Sequence, residues 1–126
     1  MKFEIVAPLL GFEDIKEVEL QKIDDVFMKM QATNDENISF TLINPYALRE
    51  YDFEVPEHIQ EQLQITDKSN LLIFNTVIIQ NPIENSYINF IAPLIFNTDT
   101  NKAAQMIIQE DCDYGVAEQI SEYLKK

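Results

Sequence analysis

Glycine is nearly missing from this chain: Gly11 and Gly115 are the only two in 126 residues. Neither a Gly-x-Gly-x-x-Gly turn nor a Gly-x-x-x-x-Gly-Lys loop can be written with them, so the glycine-rich phosphate cradles are excluded. Cysteine is equally scarce, with Cys112 alone. A single thiol closes no internal disulfide, which fits a reducing cytoplasm. His58 is the only imidazole. Basic residues are in deficit, with 9 Lys+Arg against 22 Asp+Glu and a net charge of −13. That balance argues against direct nucleic acid binding, whose affinity is built on lysine and arginine. It also disfavours an anionic membrane surface. No apolar run reaches the roughly 18 residues that span a bilayer, and no N-terminal segment reads as a secretion signal. The expectation is a cytoplasmic protein with no membrane partner.

What the chain does have is apolar residues, 46% of the total, in short alternating runs. Its length fits a single domain, residues 1–126, with enough core to fold unaided. Residues 3–7 alternate and stop at Pro8. Val18–Leu20, Val26–Met30 and Ile38–Ile43 read as further strands, the last with Ile38, Phe40 and Leu42 on one face. Asn44-Pro45 is a stop signal. The two longest apolar runs, Leu71–Ile79 and Tyr87–Phe96, carry apolar residues at successive positions and read as strands covered on both faces. Pro93 places an edge, bulge or bend in the second. Ala104–Ile108 reads as a last strand. Two helices are expected. One starts at Pro56-Glu57, with Ile59 and Leu63 on one face. The other is C-terminal, capped by Asp113, with Val116, Ile120, Tyr123 and Leu124 as its apolar stripe. The predicted fold is mainly β: a single-domain antiparallel β-barrel-like structure, or a sandwich, with two short helices.

Candidate chemistry is thin. Glu54, Glu57, His58 and Glu61 could be written as a metal cluster, but no second His or Cys completes an N/S site, and a solvated helix face explains them better. Glu110, Asp111 and Asp113 around Cys112 oppose a reactive thiolate. Asp111-x-Asp113-x-Gly115 has its glycine out of register for a calcium loop. No catalytic residue, metal or cofactor is predicted. The residues favour a binding protein over an enzyme, with a preference for basic or apolar protein partners.

Short motifs in order carry a resemblance. They are Pro8-Leu9-Leu10-Gly11-Phe12-Glu13, Phe40-Thr41-Leu42-Ile43-Asn44-Pro45-Tyr46, Tyr51-Asp52-Phe53-Glu54-Val55-Pro56, Asn89-Phe90-Ile91-Ala92-Pro93-Leu94-Ile95-Phe96-Asn97 and Ala104-Gln105-Met106-Ile107. Over about Pro8–Ile108 the chain resembles the flagellar assembly factor family, FliW. The resemblance implies a non-enzymatic regulator that binds flagellin and the translational repressor CsrA in the cytoplasm, lifting the repression of flagellin synthesis. Flagellin recognition is expected in a helix-in-groove mode, and the two partners are expected to exclude one another.

Most of each motif reads equally well as structure: Gly11 as a tight turn, Asn44 as a cap, Pro45 and Pro93 as strand ends or bends, Phe12, Phe90 and Phe96 as core. Binding is expected of residues at strand ends and loops, namely Phe12, Glu13, Asn44, Pro45 and Tyr46. The alternative is a small acidic β-barrel enzyme or metabolite-binding protein. A deep pocket of convergent carboxylates, or a bound metal, would favour it; a shallow apolar groove would favour the family reading. A flagellin chaperone without repressor binding is a third possibility.

Overall fold

In a computed structural model of the chain, residues 1–7, 9, 11–48, 50–51, 53–108 and 118–120 are described. The strands are β1 (Lys2–Ala7), β2 (Glu17–Lys22), β3 (Phe27–Ala32), β4 (Ser39–Ile43), β5 (Leu71–Ile78), β6 (Tyr87–Ile88), β7 (Leu94–Asn97), β8 (Lys102–Gln105) and β9 (Glu118–Gln119). One helix, α1 (Glu57–Leu63), lies between β4 and β5, and short 3-10 turns occupy Pro45–Ala47 and Ile83–Asn85. Hydrogen bonding runs in the order β4-β3-β2-β1-β8-β7-β5, and β5 pairs back onto β4, so these seven strands close a barrel. β6 and β9 extend the sheet beyond β5.

Alternation decides which residues fill the barrel. Cross-strand partners place Phe3 beside Val18, Leu20 beside Met30, Met28 beside Leu42, Phe74 beside Leu94 and Phe96 beside Ala103. With Ile5, Leu9, Ile15 and Ala32 they form one buried cluster, the barrel interior. Phe96 sits at its centre, its ring edge-on to Phe3 at 5.0 Å and to Phe74 at 5.9 Å. Side chains of this cluster fill much of the interior of so small a barrel.

The alternate residues form a second cluster on the outside. Ile43, Val77, Ile95 and Ala104 are covered there by Tyr51, Ile59, Leu63, Ile88, Phe90, Met106, Ile108 and Ile120. β7 is therefore buried along its whole length, the both-faces-covered pattern its apolar run predicts.

Several details differ from the expected layout. β1 and β8 pair in parallel, so the barrel is antiparallel at every seam but one. Parallel neighbours need a long crossover, and here the rest of the chain supplies it. A bulge at that seam pairs Ala7, rather than Val6, with Ala104, and this turns Ala7 to the outer layer. The run 87–96 splits into β6 and β7, with irregular backbone before Pro93. Pro56 stands just before the first turn of α1 rather than inside it. The expected C-terminal helix, from its cap Asp113, falls mostly on residues 113–117 and 121–126, outside the described residues; inside its span, Glu118 and Gln119 pair as a strand with β6.

Buried asparagines fasten the outer layer. Asn97 Nδ2 donates to the Leu63 carbonyl at 2.9 Å, and its Oδ1 accepts from the Asp99 N–H at 3.0 Å. Thr100 Oγ1 reaches the same Leu63 carbonyl at 3.1 Å. The end of α1 is thereby tied to the β7–β8 turn. Asp99 in that turn accepts from the backbone N–H and side-chain amide of Asn70, which hold its carboxyl below the ordinary aspartate value. Asn75 Nδ2 donates to Tyr51 Oη at 3.1 Å and to the Asn89 carbonyl at 2.9 Å, while Tyr51 Oη donates to the Phe90 carbonyl.

Asn97→Ala removes both Asn97 bonds at a fully buried position. We expect a loss of about 1–3 kcal/mol, read as a lower denaturant midpoint with an unchanged slope. An unaffected midpoint would mean that the asparagine does not hold α1 in place.

Candidate functional site

The site grows from the way β4 and β5 part. Their pairing covers three rungs, Ile43–Asn75, Leu42–Thr76 and Thr41–Val77. Beyond Val77, β5 turns to pair with β6 through Val77–Ile88 and Ile78–Tyr87. The opening between the two strands is a groove of about 510 Å³. Ser39, Phe40 and Thr41 form one wall; Thr76, Val77, Ile78 and Ile79 form the other; Leu9, Phe12, Met30, Leu94, Asn89 and Gln105 complete the lining. The lining is mostly apolar, and among the described residues it includes no carboxylate. Its exposed apolar members are prominent, with Ile78 65% and Phe12 40% accessible. Isolated exposed apolar side chains are ordinary, but a contiguous set lining a concavity marks a contact surface.

Phe12 reaches this groove through a tight turn. Its N–H donates to the Leu9 carbonyl at 3.0 Å, and Gly11 has φ of +80°. That angle lies in the left-handed region, where glycine is favoured. A Cβ at Gly11 would meet nothing within 4 Å, so conformation and not space calls for glycine. The Phe12 ring then stands edge-on to Phe40 at 4.9 Å. Glu13 follows on the exposed outer side, where its carbonyl accepts from Lys16 Nζ at 3.0 Å.

Asn44, Pro45 and Tyr46 lie at the other end of β4. Asn44 Oδ1 accepts from the Tyr46 N–H at 3.0 Å and so caps the 3-10 turn. The Asn44 N–H donates to the Val26 carbonyl at 2.8 Å. Asp24 supports that neighbour: the N–H groups of Phe27 and Val26 hold its carboxyl below the ordinary value. Pro45 is buried. Tyr46 is 54% exposed, with its ring 6.2 Å from that of Tyr51. Asn44 and Tyr46 line a separate shallow cleft with Leu71, Leu72, Ile73 and Phe74. Phe12 and Glu13 are thus brought together at one end of β4, and Asn44, Pro45 and Tyr46 at the other.

Sequence reasoning missed Ile78 and Ile79. The run Leu71–Ile79 reads as a strand covered on both faces, yet its last two residues are exposed. The available signal was Asn81-Pro82, close enough behind them to show that the strand was leaving the sheet. Among the remaining candidates, Glu54, Glu57, His58 and Glu61 are exposed. No His/Cys/Asp/Glu cluster able to hold a metal occurs among the described residues. Asp111, Cys112, Asp113 and Gly115 lie outside the described residues. No helix among the described residues is long and apolar enough to cross a membrane.

Gly11→Ala tests the turn that carries Phe12. With open space around the new methyl, the left-handed backbone supplies the whole effect, expected at about 1–2 kcal/mol of lost stability in thermal unfolding. A neutral outcome would show that the turn relaxes without glycine.

Comparisons with known proteins converge. The family model described as "FliW protein" matches residues 1–120. The chain is 63% identical to the flagellar assembly factor FliW of Sulfurimonas denitrificans over 126 residues, covering all of both chains. It is 49% identical to the flagellar assembly factor FliW 1 of Wolinella succinogenes over 128 residues, again covering all of both. In three dimensions it resembles a crystal structure of the flagellar assembly factor FliW, with a TM-score of 0.87 and 22% identity, covering 94% of this chain and 84% of the other. That structural likeness shows the shared barrel, and the full-length sequence matches show the lineage: the chain belongs to the FliW family of flagellar assembly factors.

Proposed function

We propose that the chain is a non-enzymatic cytoplasmic regulator that binds flagellin and antagonises the translational repressor CsrA. The observation that carries the reading is the groove. Its lining is mostly apolar and, among the described residues, has no carboxylate, on a chain that has 22. A pocket built for acid–base or metal chemistry would converge polar or charged groups. This one instead presents Phe12, Phe40, Ile78 and Ile79, the means of holding an apolar segment of another protein. Flagellin is the partner the family reading supplies for it.

Charge supports the second half of the reading. A repressor that attracts RNA phosphates needs a basic surface, and a partner at −13 is drawn to it. Once docked, acids near the RNA path would also repel phosphates. At physiological salt that field reaches only about 8 Å, so only nearby carboxylates count. Glu13, Asp14, Glu17 and Glu50 are exposed beside the proposed binding turns, and Asp52, near them in sequence, lies outside the described residues. Loading with flagellin would release the repressor, and this is the regulatory step.

For flagellin, we expect titration calorimetry to show association with a negative heat-capacity change. Ile78→Asp, at an exposed position, should weaken it at least about tenfold by placing a charge in an apolar contact. No association at tens of micromolar would overturn the reading. For the repressor, changing Glu13, Asp14, Glu17 and Glu50 in subsets to Gln or Asn should reduce RNA exclusion more than repressor affinity, and added salt should mimic the loss. Equal losses in both measurements would point to steric blocking instead.

A further inference from the structure

The groove is more than an apolar cleft, because its two walls are strands whose pairing has been interrupted. Strand parity shows what the interruption exposes. The Ala32 N–H donates to the Ile38 carbonyl at 3.0 Å and the Asn44 N–H to the Val26 carbonyl at 2.8 Å. In an antiparallel ladder, residues that bond to a given neighbour recur every second position. Ile38, Phe40, Leu42 and Asn44 therefore turn their backbone groups to β3, and Ser39, Thr41 and Ile43 turn theirs toward β5. On the opposite wall, the Asn89 N–H donates to the Thr76 carbonyl at 3.1 Å. Thr76 and Ile78 thus face β6 and Val77 faces β4; the same parity continued one step past the end of β5 would turn Ile79 toward β4. Thr41 and Val77 make the last rung. The next would be Ser39 with Ile79, and no pairing joins them. Both residues are exposed and both line the groove. Elsewhere the barrel is closed from β4 round to β5, and closure is what removes free strand edges. At this rung it does not.

We propose that the groove holds its flagellin segment as an added β-strand, whose backbone pairs at the open rung with Ser39, Ile79 or both. The inference rests on the flagellin reading above and replaces the helix-in-groove mode expected from sequence. A helix satisfies its own backbone groups and would leave the Ser39 and Ile79 groups facing it unused. An extended segment uses them, and main-chain bonds of this kind supply affinity while alternate side chains supply specificity. Alternation fits the walls as well: every second side chain would turn inward against Phe12, Phe40 and Leu94, and the others outward. The rim adds charge complementarity. Glu13 and Asp14 directly follow Phe12, a lining residue, and both acids are exposed. The occupant is therefore a segment of alternating apolar residues flanked by Lys or Arg.

The test is amide hydrogen exchange of the full chain, resolved by residue, free and saturated with purified flagellin. Strand addition slows exchange at Ser39 or Ile79 by tenfold or more. A helix laid over the groove leaves both within a few-fold of their free rates. Two variants accompany it. Ser39→Pro deletes an N–H that β3 does not use, at the first residue of β4, where proline is tolerated. It should cut flagellin affinity at least tenfold, while Ser39→Ala, which keeps the N–H, binds like the parent chain. Flagellin binding with both amides unprotected would overturn strand addition and leave the flagellin reading standing. Absence of flagellin binding would overturn both. If Ser39→Pro does not fold, the exchange measurement on the unaltered chain still decides.

Discussion

Three rungs of hydrogen bonding between β4 and β5 make this molecule what it is. Without them the other strands form an open sheet with two long edges, and the interior cluster around Phe96 has one side in water. With them the sheet becomes a barrel whose inward side chains meet across a common centre. The same rungs set the limit of closure. β4 has only five residues, and β5 is drawn away toward β6 once Val77 has paired. A seam that is closed at Leu42–Thr76 and open at Ser39–Ile79 is thus one feature: the barrel core and the apolar groove are the two sides of where that pairing stops.

The outer layer depends on a different device. Apolar residues on the outside of the barrel need a cover, and α1 and the irregular segments around residues 44–56 and 89–93 provide it. Irregular backbone brings unpaired carbonyls that are costly to bury. Asn75, Asn97 and Tyr51 answer this with side-chain bonds to the carbonyls of Asn89, Leu63 and Phe90. Each sits on or against a strand facing outward, where an aliphatic residue would supply no donor for these carbonyls. Polar residues inside apolar runs, such as the Asn75 in Leu71–Ile79, are therefore the fastenings between barrel and cover.

The sequence made much of this legible where period alone was enough. Alternation marked β1, β2 and β4 to within a few residues, and continuous apolar runs marked β5 and β7 as covered on both faces; the last run, Ala104–Ile108, shares only Ala104 and Gln105 with β8. Ile59 and Leu63 identified the buried face of α1. Phe90 and Phe96 are fully buried as core reading suggested, while Phe12 is held half in the open by its turn. What period could not give was pairing. The parallel β1–β8 seam joins residues about a hundred positions apart, and nothing local distinguishes it from an antiparallel one. The groove was illegible for the same reason: Ile78 looks like any core isoleucine until β5 is known to leave β4 one residue earlier.

The proposed binding residues fall into two groups separated by the length of β4. At about 3.3 Å per residue, the five steps from Ser39 to Asn44 amount to roughly 17 Å. A partner gripping Phe12 and one gripping Tyr46 would meet different surfaces, so mutual exclusion between them cannot come from sharing those contacts. It would need a second, overlapping patch or a change carried along the barrel wall. β4 is the direct connection: Phe40 touches Phe12 at one end, Asn44 caps the Tyr46 turn at the other, and Leu42 between them is locked in the core. Close packing at Leu42 makes β4 stiff, and a stiff strand displaced at one end moves at the other. Strand addition at Ser39 acts on that element where it is least supported, two residues beyond its last rung with β5.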